Sequence, residues 1–144
     1  SEMCIRDRIG TYNGLNCYNP VTNIFKHYLH GKTTNTLSNN TIWKIKEIKN
    51  EIWIATSGGL SIFNKTTQKF TSVFHNSKDN LSLPNNFVLS IYETKKGEIW
   101  IGTTNGLCRL VNRKGDTFRF KQYYTQNNES VYVYSFNLTG YPYF

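Results

Sequence analysis

The string Glu-Ile-Trp-Ile-Gly-Thr-Thr-Asn-Gly-Leu at 98–107 occurs once before, at 51–60, as Glu-Ile-Trp-Ile-Ala-Thr-Ser-Gly-Gly-Leu. The end of a third copy stands at 9–15, as Ile-Gly-Thr-Tyr-Asn-Gly-Leu. The closing leucines, Leu15, Leu60 and Leu107, are 45 and 47 residues apart. A period in that range marks an array of similar units, each burying its apolar face against a neighbour. It also makes most side chains that look distinctive in isolation part of the repeat.

Each unit reads as four strands. The runs at 41–47 and 87–93 are apolar-rich and follow Leu-Ser-Asn-Asn and Leu-Pro-Asn-Asn, so they are first strands. After a polar turn, Ile-Trp-Ile makes a second strand, dense in β-branched and aromatic side chains. Asn13-Gly14, Gly58-Gly59 and Asn105-Gly106 then read as two-residue primed hairpin turns with both residues at positive φ. Third strands are expected at 60–63 and 107–111, with loops at 19–23 and 112–116. Last strands carry Phe25 and Tyr28, Phe70 and Phe74, and Phe118 and Tyr123. Four antiparallel strands in about 45 residues match a propeller blade. No run shows the i, i+3, i+4, i+7 apolar spacing of a helical repeat. Ile-Trp-Ile places apolar groups on both faces of the second strand, which suits stacked sheets and not a sheet with one wet face.

The expected fold class is therefore all-β: a partial β-propeller of about two complete four-stranded antiparallel blades plus parts of two more. Residues 9–36 are a partial blade, 37–82 and 83–128 complete blades, and 129–144 the start of a further blade or a degraded fragment end. Residues 1–8 stand outside the repeat and read as the in-frame translation of a transposon sequencing adapter, a non-native segment to be kept out of fold reasoning. Propellers close with about four to eight blades, so the chain reads as part of a domain. Trp53 and Trp100 are expected in packing between blades.

The formal net charge is +8, with 17 Lys and Arg against 9 Asp and Glu. The lysines are scattered over turns, with no dense run and no nucleic-acid signature, so no nucleic acid contact is expected of this segment. No stretch is long and apolar enough to span a bilayer. Cys17 and Cys108 fall two blades apart in different registers and are read as two unpaired thiols; Cys4 lies in the suspected adapter segment.

Catalytic and metal chemistry finds no foothold. His27 and His30 are three apart, and on a strand such positions point to opposite faces, so the pair lacks ligand geometry. His75 stands alone. Glu47 and Glu93, and Glu51 and Glu98, recur at equivalent positions and read as turn or surface residues. No catalytic, cofactor-binding or metal-binding residue is assigned. Departures from the repeat are more informative. Trp43 aligns with Leu89, and Lys44 with Ser90. The loop before each first strand shares an end of the sheet with the second-to-third-strand hairpin. That rim, with Asn40, Trp43, Lys44, Asn86 and Phe87, is where a ligand is expected.

The ordered blocks Leu-Ser/Pro-Asn-Asn, Val/Ile-x-x-Ile-x-Glu and Ile-Trp-Ile-Gly/Ala-Thr-x-x-Gly-Leu resemble the two-component regulator propeller repeat over nearly all of 9–128. Lys49-Asn50 departs from the family's acidic-Gly turn, and Ala55 from its usual Gly. The resemblance implies the periplasmic sensor region of a hybrid two-component regulator, common in Bacteroidetes, with any kinase activity in domains downstream. It implies an oligosaccharide ligand, further blades of the same chain, a downstream membrane helix and a homodimer of the full-length protein as partners. No cofactor is implied, and this segment is not expected to be an enzyme. A scaffold propeller without a small ligand, and an enzyme whose site lies in other blades, are the other two readings left open.

Overall fold

In a computed structural model, residues 8–123, 133, 135–136 and 142–143 are described. All regular structure among the described residues is β. Strands β1 (Arg8–Thr11), β2 (Gly14–Asn19) and β3 (Ile24–Tyr28) form one sheet. β4 (Ile42–Ile48), β5 (Glu51–Thr56), β6 (Gly59–Asn64) and β7 (Lys69–Val73) form the next. β8 (Val88–Glu93), β9 (Ile99–Thr103), β10 (Gly106–Lys114) and β11 (Thr117–Tyr123) form the third, and β12 (Ser135–Phe136) pairs with β13 (Pro142–Tyr143). Within each sheet consecutive strands pair antiparallel, the up-and-down order of propeller blades. The further blade expected at 129–144 lies mostly outside the described residues. Val133 is buried; its N–H donates to Thr103 O at 2.9 Å, and its carbonyl accepts from Ser90 Oγ at 2.7 Å.

Two cores lie between the sheets. Leu15, Leu37, Ile42, Ile52, Ile54 and Phe63 fill the first seam, and Trp53, Leu60, Ile62, Ile91, Ile101 and Phe120 are among those filling the second. Trp53 is 1% exposed and meets Phe118 of the third sheet edge-on at 5.8 Å. Trp100, in the same repeat slot one blade later, is half-buried, lies 5.3 Å from the Tyr123 ring and has the Arg109 guanidinium over it. The face it occupies points away from the second blade. The same slot is thus fully buried in the second blade, where the third sheet lies against it, and partly exposed in the third.

The recurrent threonine of the repeat acquires a cause. Thr11, Thr56 and Thr103 each donate from Oγ1 to the carbonyl of the hairpin glycine, at 3.0, 2.7 and 2.9 Å. Each hydroxyl also accepts from the N–H two residues on, so one side chain ties both sides of the turn.

Three expectations are corrected. The paired residues flanking the hairpin loop are Thr56 and Gly59, and likewise Thr11 and Gly14, Thr103 and Gly106. Only the glycine has positive φ (94°, 110° and 106°), so the turn needs one left-handed residue at its exit and not a primed pair. At Gly59 a side chain is also excluded sterically, since a Cβ would lie 2.9 Å from Val73 O. Second, the loop expected at 112–116 is mostly strand: β10 runs to Lys114 past a register shift at Val111, leaving only Gly115 and Asp116 to turn. Third, Cys17 is disulfide-bonded and is not a free thiol. Cys108 is the free cysteine among the described residues, and its complete burial pushes the thiol pKa well up.

Candidate functional site: the rim between hairpins and blade entries

The hairpins β1–β2, β5–β6 and β9–β10 share one end of the sheets with the segments entering β4 and β8. Ser57 N–H donates to Thr41 O at 3.0 Å, and Thr104 N–H to Phe87 O at 3.1 Å. At this end three aromatic rings form a row. Tyr12 meets Trp43 edge-on at 6.0 Å, and Trp43 meets Phe87 at 5.7 Å and 44°. Trp43 Nε1–H donates to Ser57 Oγ at 2.8 Å, which fixes the plane of the indole. Tyr12 is 76% exposed and Trp43 40%, while Phe87 is half-buried beneath them.

These three residues occupy three different repeat slots. Tyr12 takes the place of Ser57 and Thr104, Trp43 that of Leu89, and Phe87 that of Thr41. The turn of Trp43 to the surface has a backbone cause. The register of β4 on β5 shifts between Ile42 and Lys44, leaving Trp43 as the extra residue of a bulge. β8 carries the same shift between Val88 and Ser90, but there the extra residue, Leu89, is only 5% exposed. The same bulge thus buries an aliphatic group in one blade and presents an indole in the other. Lys44 follows directly and is exposed, whereas Ser90 in its slot is buried and bonded to Val133.

Asn40 and Asn86 sit at this end but spend their polar groups on the fold. Asn40 Oδ1 accepts from His30 N–H at 2.6 Å, and its carbonyl from Gly14 N–H at 2.6 Å. Asn86 Oδ1 accepts from His75 N–H at 2.7 Å, and its carbonyl from Gly59 N–H at 2.5 Å. Beside them, His30 Nδ1 bonds Leu37 O and His75 Nδ1 bonds Leu83 O, both at 2.6 Å. Each asparagine therefore joins the hairpin of one blade to the entry of the next. His30 and His75 are one repeat position, 45 residues apart, a correspondence that pairing His30 with His27 conceals. His27 Nε2 instead lies 2.7 Å from Asn13 O. No group of three metal-ligating side chains occurs among the described residues.

The opposite end of the second seam carries charge. Arg113, placed by the lengthened β10, forms a two-pronged pair with Glu51 at 2.6 and 2.7 Å, and Trp53 Nε1–H donates to the same carboxylate at 3.1 Å. Burial pushes the Glu51 carboxyl up, but the hydrogen bonds and charge of Arg113, with the Trp53 indole, outweigh it and leave the pKa below the ordinary value. A cavity of about 480 Å³ opens beside this pair, lined by Ile48, Trp53, Glu93, Ile99 and Arg113. Glu51 thereby ties two blades together, where a turn or surface residue was expected.

Residues 82–105 match the family model of the two component regulator propeller. This segment carries a two-component regulator propeller repeat. A curated relative, Histidine kinase P4 of Formosa agariphila, is 49% identical over 69 residues, which are 48% of this chain and 5% of that protein. Two solved structures of an extracellular domain from B. thetaiotaomicron share the fold. One is described as belonging to a one component system, with TM-score 0.67 and 25% identity; the other to a hybrid two component system, with TM-score 0.66 and 24% identity. Each alignment covers 88% of this chain and 16% of the other. The chain thus spans a small part of the length of the relatives it matches. Among the described residues no helix is long and apolar enough to cross a membrane.

Proposed function

We propose that this chain is part of the periplasmic sensor propeller of a hybrid two-component regulator, and that the Tyr12–Trp43–Phe87 row takes a glycan-derived oligosaccharide. The observation that carries this reading is the convergence of three repeat-breaking aromatics, from three different slots, on one exposed strip. Repeat packing needs none of them there. Aromatic faces accept the apolar C–H faces of sugar rings, and Ser57 and Lys44 stand beside the row to meet hydroxyl or acidic groups. The match to a histidine kinase and the likeness to extracellular two-component domains support a sensing role outside the cytoplasm.

Sensing requires a ligand that favours one arrangement of the sensor over another. The row rests on three successive blades, so a ligand lying along it bears on the angle between them. In this reading the segment is not itself catalytic. Phosphoryl transfer belongs to a kinase elsewhere in the full-length protein, which acts as a homodimer and reaches the membrane through another segment. Calorimetric titration with a panel of neutral and acidic hexasaccharides tests the rim. At least one binds, and W43A and F87A each weaken it about tenfold or more, a loss of about 1.4 kcal/mol. Binding that survives Y12A, W43A and F87A refutes the assignment. A panel without a binder favours the scaffold alternative.

A further inference from the structure

The second blade departs from the third at two positions that pair with each other. In the third blade Ser90 pairs in register with Gly102, and Ser90 Oγ donates to Val133 O at 2.7 Å. That hydroxyl needs the missing side chain of Gly102, since a Cβ there would collide with Ser90 Oγ and lie 2.5 Å from Val133 O. In the second blade the same pair is Lys44 and Ala55, and Ala55 is fully buried. Its methyl group takes the room that the serine hydroxyl uses, so the side chain at 44 cannot fold back as Ser90 does. That side chain is a lysine, and it is exposed.

Position and charge both direct Lys44 to the aromatic row. The bulge sets Trp43 and Lys44 against one register step of β5, between Thr56 and Ala55. Directly opposed residues share a face of a sheet, and Ala55 belongs to the core of the second seam. Lys44 therefore leaves its sheet on the face turned to the third sheet, where Phe87 stands against Trp43. It makes no ion pair or ring contact among the described residues. No described carboxylate at this end is free to neutralise it. Glu47, Glu51, Glu93, Glu98 and Asp116 lie towards the other end of the sheets, and Asp79 is held by Arg119 on the outer strand. The fold has no use for this charge.

We propose that the ligand of the row is an anionic oligosaccharide, with a carboxylate or sulfate ester on the sugar ring that lies against Trp43, and that Lys44 selects it. This rests on the reading of the row as a sugar platform. A sugar that stacks by its C–H face turns the substituents at its ring edge towards whatever flanks the indole, and Lys44 is the adjoining residue. Lysine offers a point charge and not the planar fork of arginine, so a uronic acid carboxylate and a sulfate ester are met alike. The Ala55 methyl keeps the ammonium from withdrawing into the seam.

Calorimetric titration of the full chain compares uronic acid hexasaccharides with their carboxyl-reduced counterparts, and sulfated galactan hexasaccharides with their desulfated counterparts. The pair that binds identifies the anion. Its charged member binds about fivefold more tightly than the neutral one in about 0.05 M salt, the worth of one exposed ion pair. That advantage disappears in about 0.5 M salt, in K44M, and in K44S/A55G, which gives the second blade the pair found in the third. K44R keeps it, and so does K114M, which removes an equal charge at the far end of the sheets. Circular dichroism checks that each variant is folded. A neutral member bound as tightly as its charged counterpart, with W43A weakening both, overturns the role of Lys44 and leaves the sugar platform standing. An equal loss in K114M overturns that role as well. Binding that W43A leaves unchanged, or no binding by any probe, overturns the platform and this inference with it.

Discussion

Trp53 and Trp100 occupy one repeat slot, and only Trp53 has another described sheet against it. Replacing each by alanine therefore isolates the contribution of blade stacking. Trp53 is 1% exposed and touches Phe118 and Glu51. Burying an indole removes roughly 200 Å² from water, worth about 5 kcal/mol at ~25 cal/mol per Å². Partial relaxation around the cavity brings W53A to about 3–5 kcal/mol. Trp100 keeps part of its ring in solvent, so W100A loses roughly three quarters of that area and costs about 3 kcal/mol. With a urea slope of about 2 kcal/mol per molar, the unfolding midpoint falls by about 2 M for W53A and about 1.5 M for W100A. Equal shifts, or a W53A shift below about 0.5 M, would refute the claim that coverage by the next sheet is what buries this slot.

Three further outcomes are expected. Glu51 has a folded pKa below its unfolded value, so the unfolded chain binds its proton first; the stability it contributes is full above the ordinary carboxylate range near ~4.3 and is lost as pH falls through the folded pKa, and E51Q should flatten that part of a urea midpoint series from pH 7 to pH 3. G59A forces a side chain onto φ 110° and into Val73 O, which should cost about 1–3 kcal/mol, while G97A, at a positive φ with open space around it, should cost less in the same denaturation series. T56V keeps the shape of the buried side chain but leaves Gly59 O and Gly58 N–H without their hydroxyl partner; a loss of about 1–3 kcal/mol in thermal unfolding is expected, and a neutral result would contradict the turn-tying role.

Period and texture were enough to read the class of fold, because a repeated sheet writes the same alternation and the same turn glycine into each copy. The turn itself was misread. An Asn-Gly pair is compatible with a primed loop, and only the pairing of Thr56 with Gly59 shows that glycine is the exit residue. Asn40 and Asn86 read as available because a rim position that meets a ligand and one that latches two loops place the same amide at the same end of the sheet. Their hydrogen bonds to His30 and His75 depend on where the loops of 29–41 and 74–87 run, which local spacing does not specify. Trp43 and Lys44 stood out as departures. Tyr12 did not, since it reads as an ordinary turn residue until its ring is found against Trp43. The bulge that turns Trp43 outward was illegible for a similar reason: Leu89 sits in an identical bulge and stays buried, so what it packs against decides the outcome. The lengthened β10, which brings Arg113 to Glu51, was hidden behind a stretch of polar residues that resembles a loop.

The most direct test of the rim uses the chain's three tryptophans as reporters, since each indole N–H gives a separate nitrogen-resolved resonance. Trp43 stands on the aromatic row, Trp53 between blades and Trp100 on the far face. In a titration with the hexasaccharide selected by calorimetry, the account predicts that the Trp43 signal shifts in a saturable way while Trp53 and Trp100 keep their positions. A saturable shift confined to Trp53 or Trp100, with Trp43 unmoved, would contradict it.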